Sequence, residues 1–403
     1  MRLDSGFPAG SLACVKKLIG IGIVCLALAA CSGEELKKDY TRALPPGAPA
    51  LIPLGPDEPR PDVRPEWAAK DKILPALDHS LEFLHKPSAP RFFPMAGITH
   101  ERTLASVQRF RELLEQSQDE EAFAKSVEKE FQVYKSAGWD AEGGGVLFTG
   151  YCTPILEGSR EPGDAYRYPL YALPPDLVKD KDGEILGQKT ATGLQPYPDR
   201  GAIDSRGLLA NQGLELAWLK NPLDAFIAHV NGSAVIRLPD RSLFRLGYAG
   251  KNGREYTSLR AELVKDGKLP ESGANLVTMR SWANEHPDEV PEYLARNESY
   301  VFFTPIDGNP RGCLNVEVSA ERSLATDKTL FPRGALVFVD TKLHYGGGSS
   351  TRAYHRFMFD QDRGGAIRTA GRADMYLGIG PGAERLAGTT QEEGQLYYYF
   401  LKQ

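Results

Sequence analysis

The chain has 403 residues, 41% hydrophobic and 25% charged, with 41 glycines and 29 prolines. These figures exclude a collagen-like repeat, a disordered acidic chain and a protein with many membrane spans. The formal net charge of −5, from 48 basic and 53 acidic residues, gives no electrostatic basis for nucleic-acid binding. The length is typical of about two domains, each able to bury its own core.

The N-terminus has the pattern of a targeting segment. Two lysines precede an apolar run over 18–30, which is shorter than the roughly 20 residues of a membrane-spanning helix. Small residues directly before Cys31 resemble a bacterial lipobox, and Ser32 after it implies sorting to the outer membrane. We predict a lipoprotein signal peptide over 1–30 and an outer-membrane lipoprotein that faces the periplasm, anchored through lipidated Cys31. An ordinary signal peptide with a chance cysteine is the alternative.

The segment after the signal is rich in proline. Residues 44–65 contain eight prolines in 22 positions. Proline lacks an amide donor and fixes φ, so neither a helix nor a central strand is expected there. We therefore predict that 31–66 form an extended, lipidated tether.

The clearest helical pattern covers 100–137. Apolar residues recur every three or four positions from Leu104 to Tyr134, and Gly138 supplies a stop. Shorter helices are predicted over 212–229, interrupted at an Asn-Pro pair, and over 258–265.

The remaining pattern is mostly β. An apolar strand is predicted at 146–148, and 234–238 and 242–246 flank a turn and predict a hairpin. Further predicted strands cover 300–303, 335–339, 355–359, 375–377 and 395–401. Short strands with Gly-rich turns and few helices predict a mainly β protein with some helices, of α+β class, built around a small closed barrel.

Common signatures of nucleophiles and cofactors are missing from the sequence. It contains no GxSxG, no GxxxxGK[ST] and no HExxH motif, and the glycines at 378–382 lack dinucleotide-loop spacing. Cys152 and Cys313 lie 161 residues apart without a CxxC motif. A disulfide or two buried thiols are both compatible with that spacing. We expect no metal and no cofactor, which leaves carboxylates for acid–base chemistry.

The densest group of candidate carboxylates lies near the C-terminus. Asp362 stands before two glycines, which permit a sharp turn and a close backbone approach. Asp374 opens an apolar strand, where partial desolvation would raise its pKa and suit a proton donor. Alone, each aspartate is typical of a turn or a cap.

Asp362 in Asp-Arg-Gly-Gly-Ala-Ile, Asp374 in Ala-Asp-Met-Tyr and Asp327 in Thr-Asp-Lys-Thr together resemble the three-aspartate 3D domain, a double-psi β-barrel. Four upstream motifs resemble the membrane-bound lytic murein transglycosylase A family; they cover 148–154, 168–171, 248–253 and 299–303. The chain departs from the family at Cys152, at Ala373 and by one extra residue between the last two aspartates. These departures affect local loop shape, not the three carboxylates.

The resemblance implies a lytic transglycosylase. Such enzymes cleave the β-1,4 bond between N-acetylmuramic acid and N-acetylglucosamine in peptidoglycan without water and leave 1,6-anhydromuramic acid ends. Asp374 matches the family's catalytic aspartate, which acts first as acid and then as base. Asp362 and Asp327 match the supporting carboxylates, and no cofactor or metal is implied.

The resemblance also implies an architecture with a groove between two domains. The barrel would combine 67–150 with 300–403, and a second β-rich domain over 151–299 would be inserted between them. Glycan strands of peptidoglycan would bind in the groove. Residues in the matching motifs are candidates for contact with them: Tyr151, Thr153, Tyr168, Lys251 and Asn252.

Two other functions remain open from the sequence. A non-catalytic peptidoglycan-binding lipoprotein would keep the groove and could lose the acid, because fold alone does not determine function. A two-carboxylate glycoside hydrolase would use Asp362 as the second carboxylate. The sequence does not indicate the chain-length preference, the stem-peptide preference or any wall-synthesis partner.

Overall fold

The computed structural model describes residues 38–180, 185–345 and 351–403. The predicted signal peptide and Cys31 lie outside the described residues. Within them, no helix combines the length and the apolar character needed to cross a membrane.

The described residues from 38 to 153 contain three strands and four α-helices. They are β1 (Leu51–Pro53), α1 (Arg64–Trp67), α2 (Lys70–Leu84), α3 (His100–Gln116), α4 (Glu120–Glu130), β2 (Phe131–Ser136) and β3 (Val146–Thr153). The side chains of Thr99 and Asp119 accept backbone N–H bonds at the starts of α3 and α4, as N-caps do.

The middle of the chain contains nine strands and four α-helices among the described residues. They are β4 (Ile155–Ser159), β5 (Tyr168–Tyr171), β6 (Leu177–Lys179), β7 (Ile185–Thr190), β8 (Gly193–Gln195), β9 (Glu215–Leu219), α5 (Pro222–Asn231), β10 (Ala234–Arg237), β11 (Leu243–Lys251), α6 (Leu259–Lys265), α7 (Leu276–Glu285), α8 (Val290–Ala295) and β12 (Val301–Pro305).

The C-terminal part returns to strands. They are β13 (Ser323–Ala325), β14 (Leu336–His344), β15 (Thr351–Asp362), β16 (Arg372–Ile379) and β17 (Gln391–Leu401), with α9 (Pro381–Thr389) before the last strand.

Both ends of the chain build one closed barrel. Its strands follow the order β17-β14-β15-β13-β16-β3, and β3 pairs back onto β17. Strands β2 and β1 extend the same sheet beyond β17. Apolar side chains such as Val337, Met375 and Leu396 fill one core, and a second core lies under α2, α3 and α4. The predicted class, mainly β with some helices and a small closed barrel, is confirmed.

The middle of the chain forms its own sheets. A six-stranded sheet has the order β12-β11-β10-β4-β9-β5, and β6, β7 and β8 form a separate three-stranded sheet. Helices α5, α6, α7 and α8 contribute to a separate apolar cluster around Leu263 and Trp282. Strand β4 follows β3 after a single residue and β12 leads back towards β13, so this unit is inserted into the barrel sequence.

The prediction of an extended tether over 31–66 is wrong for its C-terminal half. Leu51–Pro53 pair with β2 as an edge strand, and Leu51 and Leu54 are 4% and 6% exposed. Proline is tolerated here because an edge strand needs hydrogen-bond donors on only one side. The segment is therefore part of the sheet that forms the barrel.

Two predicted helices are partly strands. Residues 131–136, predicted as the end of a helix, form β2, and 215–219 form β9 before α5 begins. Phe131 and Val133 are buried on alternate positions, and β17 supplies the hydrogen bonds. Over so few residues, the alternation of buried and partly exposed side chains in a strand is similar to helical spacing. The hairpin of β10 with β11 and the helix α6 are confirmed.

Candidate active site

The candidate site lies on the outer face of strands β16 and β3. These strands run parallel, with Asp374 opposite Thr149 and Tyr376 opposite Tyr151. The intervening Met375 points into the barrel core. Because strand side chains alternate between faces, Asp374 and Tyr376 project outwards together.

Asp374 has the environment of a proton donor. Its Oδ1 accepts a 2.8 Å hydrogen bond from the Thr149 hydroxyl. Burial raises the pKa of Asp374 to about 6, and the negative charge of Asp362 adds to the rise. The Thr149 hydrogen bond and the Arg372 guanidinium act in the opposite direction and lower this pKa. A carboxyl group with a pKa near 6 can give and take a proton close to neutral pH.

Asp362 is held by three donors. The Tyr151 hydroxyl donates to Oδ2 at 2.7 Å, and the backbone N–H groups of Cys313 and Arg363 donate to Oδ1 at 2.9 and 2.8 Å. Burial raises the pKa of Asp362, although these hydrogen bonds oppose the rise. Both oxygens are therefore used to orient this carboxylate and the loops around it.

Asp327 lies at the turn after β13. Its Oδ1 accepts from the backbone and hydroxyl of Thr329, and its Oδ2 accepts from the backbone N–H of Thr369 at 3.0 Å. Thr369 has a φ of 75°, which is uncommon for a residue with a side chain. Asp327 thus supports the turn that leads into β16 and Asp374.

Asp360, a nearby carboxylate on β15, belongs to the barrel interior. It is fully buried, forms an ion pair with Lys328 and accepts hydrogen bonds from the hydroxyls of Thr326 and Tyr398. All its partners lie inside the protein. This arrangement gives Asp360 a structural role.

The inserted unit reaches the same region through Tyr256. The charge of Asp374 contributes to a raised pKa of Tyr256, for which burial is the main cause. A Cβ placed on Gly365 would lie 3.6 Å from the Cβ of Tyr256, so the loop after Asp362 passes closely beneath it. Sequence reasoning missed Tyr256 and Arg372. Arg372 lies two residues before Asp374 on the same strand, and this spacing could have predicted that the two side chains share one face.

The predicted glycan contacts do not share one environment. Tyr151 binds Asp362, and its ring centroid lies 5.2 Å from that of Tyr376. Tyr168 on β5 is 37% exposed, and Lys251 ends β11 in a partly buried position. These three positions remain candidates.

Thr153 and Asn252 are buried and are hydrogen-bonded within the protein. Each is 2% exposed. Thr153 bonds to the hydroxyls of Ser233 and Tyr376. The Asn252 amide donates to the carbonyls of Pro198 and Glu298, and its oxygen accepts from the backbone of Tyr300. Their polar atoms are bonded within the protein, which favours a structural role, and glycan contact at these two residues stays a prediction.

Both cysteines described by the structure are free thiols, and Cys152 is buried. In the same residues, no group of three or more His, Cys, Asp or Glu side chains is arranged to hold a metal ion.

Two family models match the chain: the MltA specific insert domain over 147–304 and the 3D domain over 322–399. The membrane-bound lytic murein transglycosylase A of Vibrio cholerae is 31% identical over 271 residues, covering 66% of this chain and 68% of that protein. The chain belongs to the membrane-bound lytic murein transglycosylase A family. The Escherichia coli K12 protein of the same name is 32% identical over 267 residues, 64% of this chain and 68% of its own length.

Solved structures of this family share the fold. A membrane-bound lytic murein transglycosylase from Agrobacterium tumefaciens superposes with a TM-score of 0.73 at 28% identity, over 87% of this chain and 98% of the other. The E. coli MltA structure with bound chitohexaose has a TM-score of 0.66 at 23% identity, over 91% and 97%. Their agreement with this chain extends across both the barrel and the inserted unit.

Proposed function

We propose that this protein is a peptidoglycan lytic transglycosylase with Asp374 as its catalytic acid and base. The observation that carries the proposal is the position of Asp374, outward-facing on the barrel, with a pKa raised to about 6. The reaction cleaves the β-1,4 bond between N-acetylmuramic acid and N-acetylglucosamine and forms a 1,6-anhydro end. Membership of the family supports this activity.

The first half of the reaction needs an acid. The glucosamine oxygen leaves poorly as an alkoxide, so Asp374 donates its proton to that oxygen as the bond to muramic C1 breaks. Positive charge develops at C1 and the ring oxygen. The Asp374 carboxylate formed at this moment is stabilised by the Thr149 hydroxyl and the nearby Arg372.

The second half needs a base. The muramic C6 hydroxyl gives its proton to the Asp374 carboxylate while its oxygen bonds to C1. This restores the acid and closes the anhydro ring. Because the hydroxyl belongs to the same sugar, no second carboxylate is needed to bring in water.

The hydrogen bonds of the Asp362 carboxylate argue against a two-carboxylate hydrolase. The backbone N–H groups of Cys313 and Arg363 both donate to Oδ1, and the Tyr151 hydroxyl donates to Oδ2, so most of the acceptor capacity of this carboxylate is used to orient it within the protein. Asp362 and Asp327 are positioning residues in this proposal. The barrel and the inserted unit, with boundaries near 150 and 300, form the walls of the glycan groove.

The relatives are named membrane-bound, and we propose that this chain is attached to the outer membrane through lipid on Cys31 and faces the periplasm. The lipobox-like sequence before Cys31 supports the attachment.

Cys31→Ser should leave the precursor uncleaved or mislocalised. Normal outer-membrane fractionation of that variant would contradict the proposal.

Mass spectrometry of the muropeptides released from purified sacculi tests the reaction. Anhydro products are expected. Reducing ends would indicate the hydrolase, and binding to sacculi without release would indicate the non-catalytic alternative.

A further inference from the structure

A cavity of about 400 Å³ lies beside the candidate active site. It is enclosed by the outer end of β16, the first turns of α2 and the segment between β12 and β13. Its lining includes Lys72, Pro75, Ser319, Ala320, Tyr376 and Ile379. The cavity is therefore part of the barrel domain and is distinct from the Asp374–Thr149 contact.

The cavity continues the catalytic face of β16. The side chains of Asp374 and Tyr376 project from the same face of this strand, and Tyr376 and Gly378 line the cavity. Successive residues on one face are about 6.6 Å apart. The Tyr376 ring packs against Tyr151, which binds Asp362. The lining of the cavity thus begins at Tyr376, two residues along β16 from Asp374.

The charges in the cavity favour an anion. Arg322 is paired with Glu66, and Arg356 is paired with Glu321, so these arginines are neutralised locally. Lys72 is exposed, and its ammonium group has no hydrogen-bond or ion-pair partner among the residues that the structure describes. One unneutralised ammonium group therefore stands at the rim.

The rest of the lining suits a short peptide. Pro75, Ala320 and Ile379 offer apolar surface, and the Ser319 hydroxyl offers a polar atom within the same space. Concave sites that combine apolar walls with a few polar groups are typical of ligand pockets.

We propose that this cavity binds the peptide stem of the muramic acid whose glycosidic bond is cleaved, with Lys72 pairing to a stem carboxylate. The inference rests on the proposed function. The stem begins on the sugar that Asp374 acts on, and an extended peptide advances about 3.3–3.6 Å per residue. Two extended stem residues therefore span about the distance from Asp374 to Tyr376, where the cavity begins.

The experiment compares two substrates: sacculi with intact stems, and glycan strands from which an amidase has removed the stems. Lys72→Glu reverses the charge at the rim, and Ala320→Trp fills the cavity from an exposed position. Lys125→Glu is the matched control, since Lys125 is also an exposed lysine on a barrel helix but lines a different cavity. The readout is the ratio of kcat/KM on stem-bearing to stem-free substrate, from release of anhydro products.

We expect the ratio to fall about five- to tenfold in Lys72→Glu, because an exposed ion pair is lost and a repulsion replaces it. Ala320→Trp should lower the ratio by a similar factor, and Lys125→Glu should leave it within about twofold of wild type. An unchanged ratio in either cavity variant, or an equal fall in the control, overturns the inference. Failure of the wild type to form anhydro products from both substrates would overturn the proposed function, and this inference with it.

Discussion

Asp360 and Asp374 are close in sequence but lie in opposite environments of the same barrel. Asp360 is inside, fully buried, and is bonded to Lys328, Thr326 and Tyr398. Asp374 is outside, receives one side-chain hydrogen bond from Thr149, and has its pKa raised to about 6 by burial. The number and charge of a buried carboxylate's partners therefore decide between a structural and a chemical role.

The difference follows from electrostatics. Burial disfavours the charged form of a carboxyl group unless opposite charge and hydrogen bonds compensate. Asp360 has a cation in direct contact. The cation near Asp374 is Arg372. Its Nη2 lies 3.4 Å from the hydroxyl oxygen of Thr149, which in turn donates to Asp374. The outer site therefore keeps a proton that can be transferred.

The largest expected effect is on turnover in Asp374→Asn. The variant cannot donate a proton, so release of anhydromuropeptides from sacculi should fall by about 100- to 10,000-fold. Asp57→Asn, at an exposed position, is the control and should retain activity. A folded Asp374→Asn protein with near wild-type turnover would contradict the assignment.

The same variant has a pH-dependent effect on stability. The pKa of Asp374 is raised from 3.8 to about 6 on folding, so the folded state binds the proton more tightly than the unfolded state. Wild type should lose stability as pH rises from about 4 to about 6, and the Asn variant should lack this loss. Urea unfolding at pH 4 and pH 7 measures the difference.

Asp360→Asn should affect stability rather than chemistry. It leaves the Lys328 ammonium buried without its counter-ion, which costs about 3 kcal/mol of unfolding free energy. Adding Lys328→Gln removes the stranded charge and should recover part of the loss. Denaturant unfolding measures both, and a single-variant loss below about 1 kcal/mol would contradict the structural role.

Asp362→Asn should lower turnover less than Asp374→Asn does, and should lower stability less than Asp360→Asn does. The amide cannot reproduce the charged acceptor for Tyr151 and two backbone N–H groups, so we expect about tenfold lower turnover and a loss of about 1–2 kcal/mol in stability. Tyr151→Phe removes one donor only and should have the smaller effect on both. A full loss of turnover with unchanged stability would instead indicate that Asp362 takes part in the chemistry.

The smallest expected effect is a shift in the pH profile of Arg372→Gln. Because Arg372 lowers the pKa of Asp374, its neutralisation should move the alkaline limb of kcat/KM to higher pH. Turnover at the optimum should change less than about fivefold. Arg372→Lys keeps the charge and should keep the limb near that of wild type. An unmoved limb in Arg372→Gln would contradict the coupling.

The amino-acid sequence predicts the candidate carboxylates, and it correctly predicts several local elements. The spacing of Asp362 and Asp374 around a double glycine led to the family. The Pro239-Asp240-Arg241 turn predicted the hairpin of β10 and β11, and Ser258 predicted the start of α6. These signals are local, because caps and turns depend on residues only a few positions apart.

Only the tertiary structure decided which segments pair over long distances. Leu51–Pro53 became a strand because β2 lies beside it, and 131–136 became a strand because β17, from the other end of the chain, supplies hydrogen bonds. It also decided the directions of neighbouring carboxylates. A register shift of β15 against β13 between Asp360 and Asp362 interrupts the alternation of the strand, so Asp360 binds Lys328 inside the barrel and Asp362 meets Tyr151. Local spacing carries no information on such partners, since they are set by contacts between residues far apart in the chain.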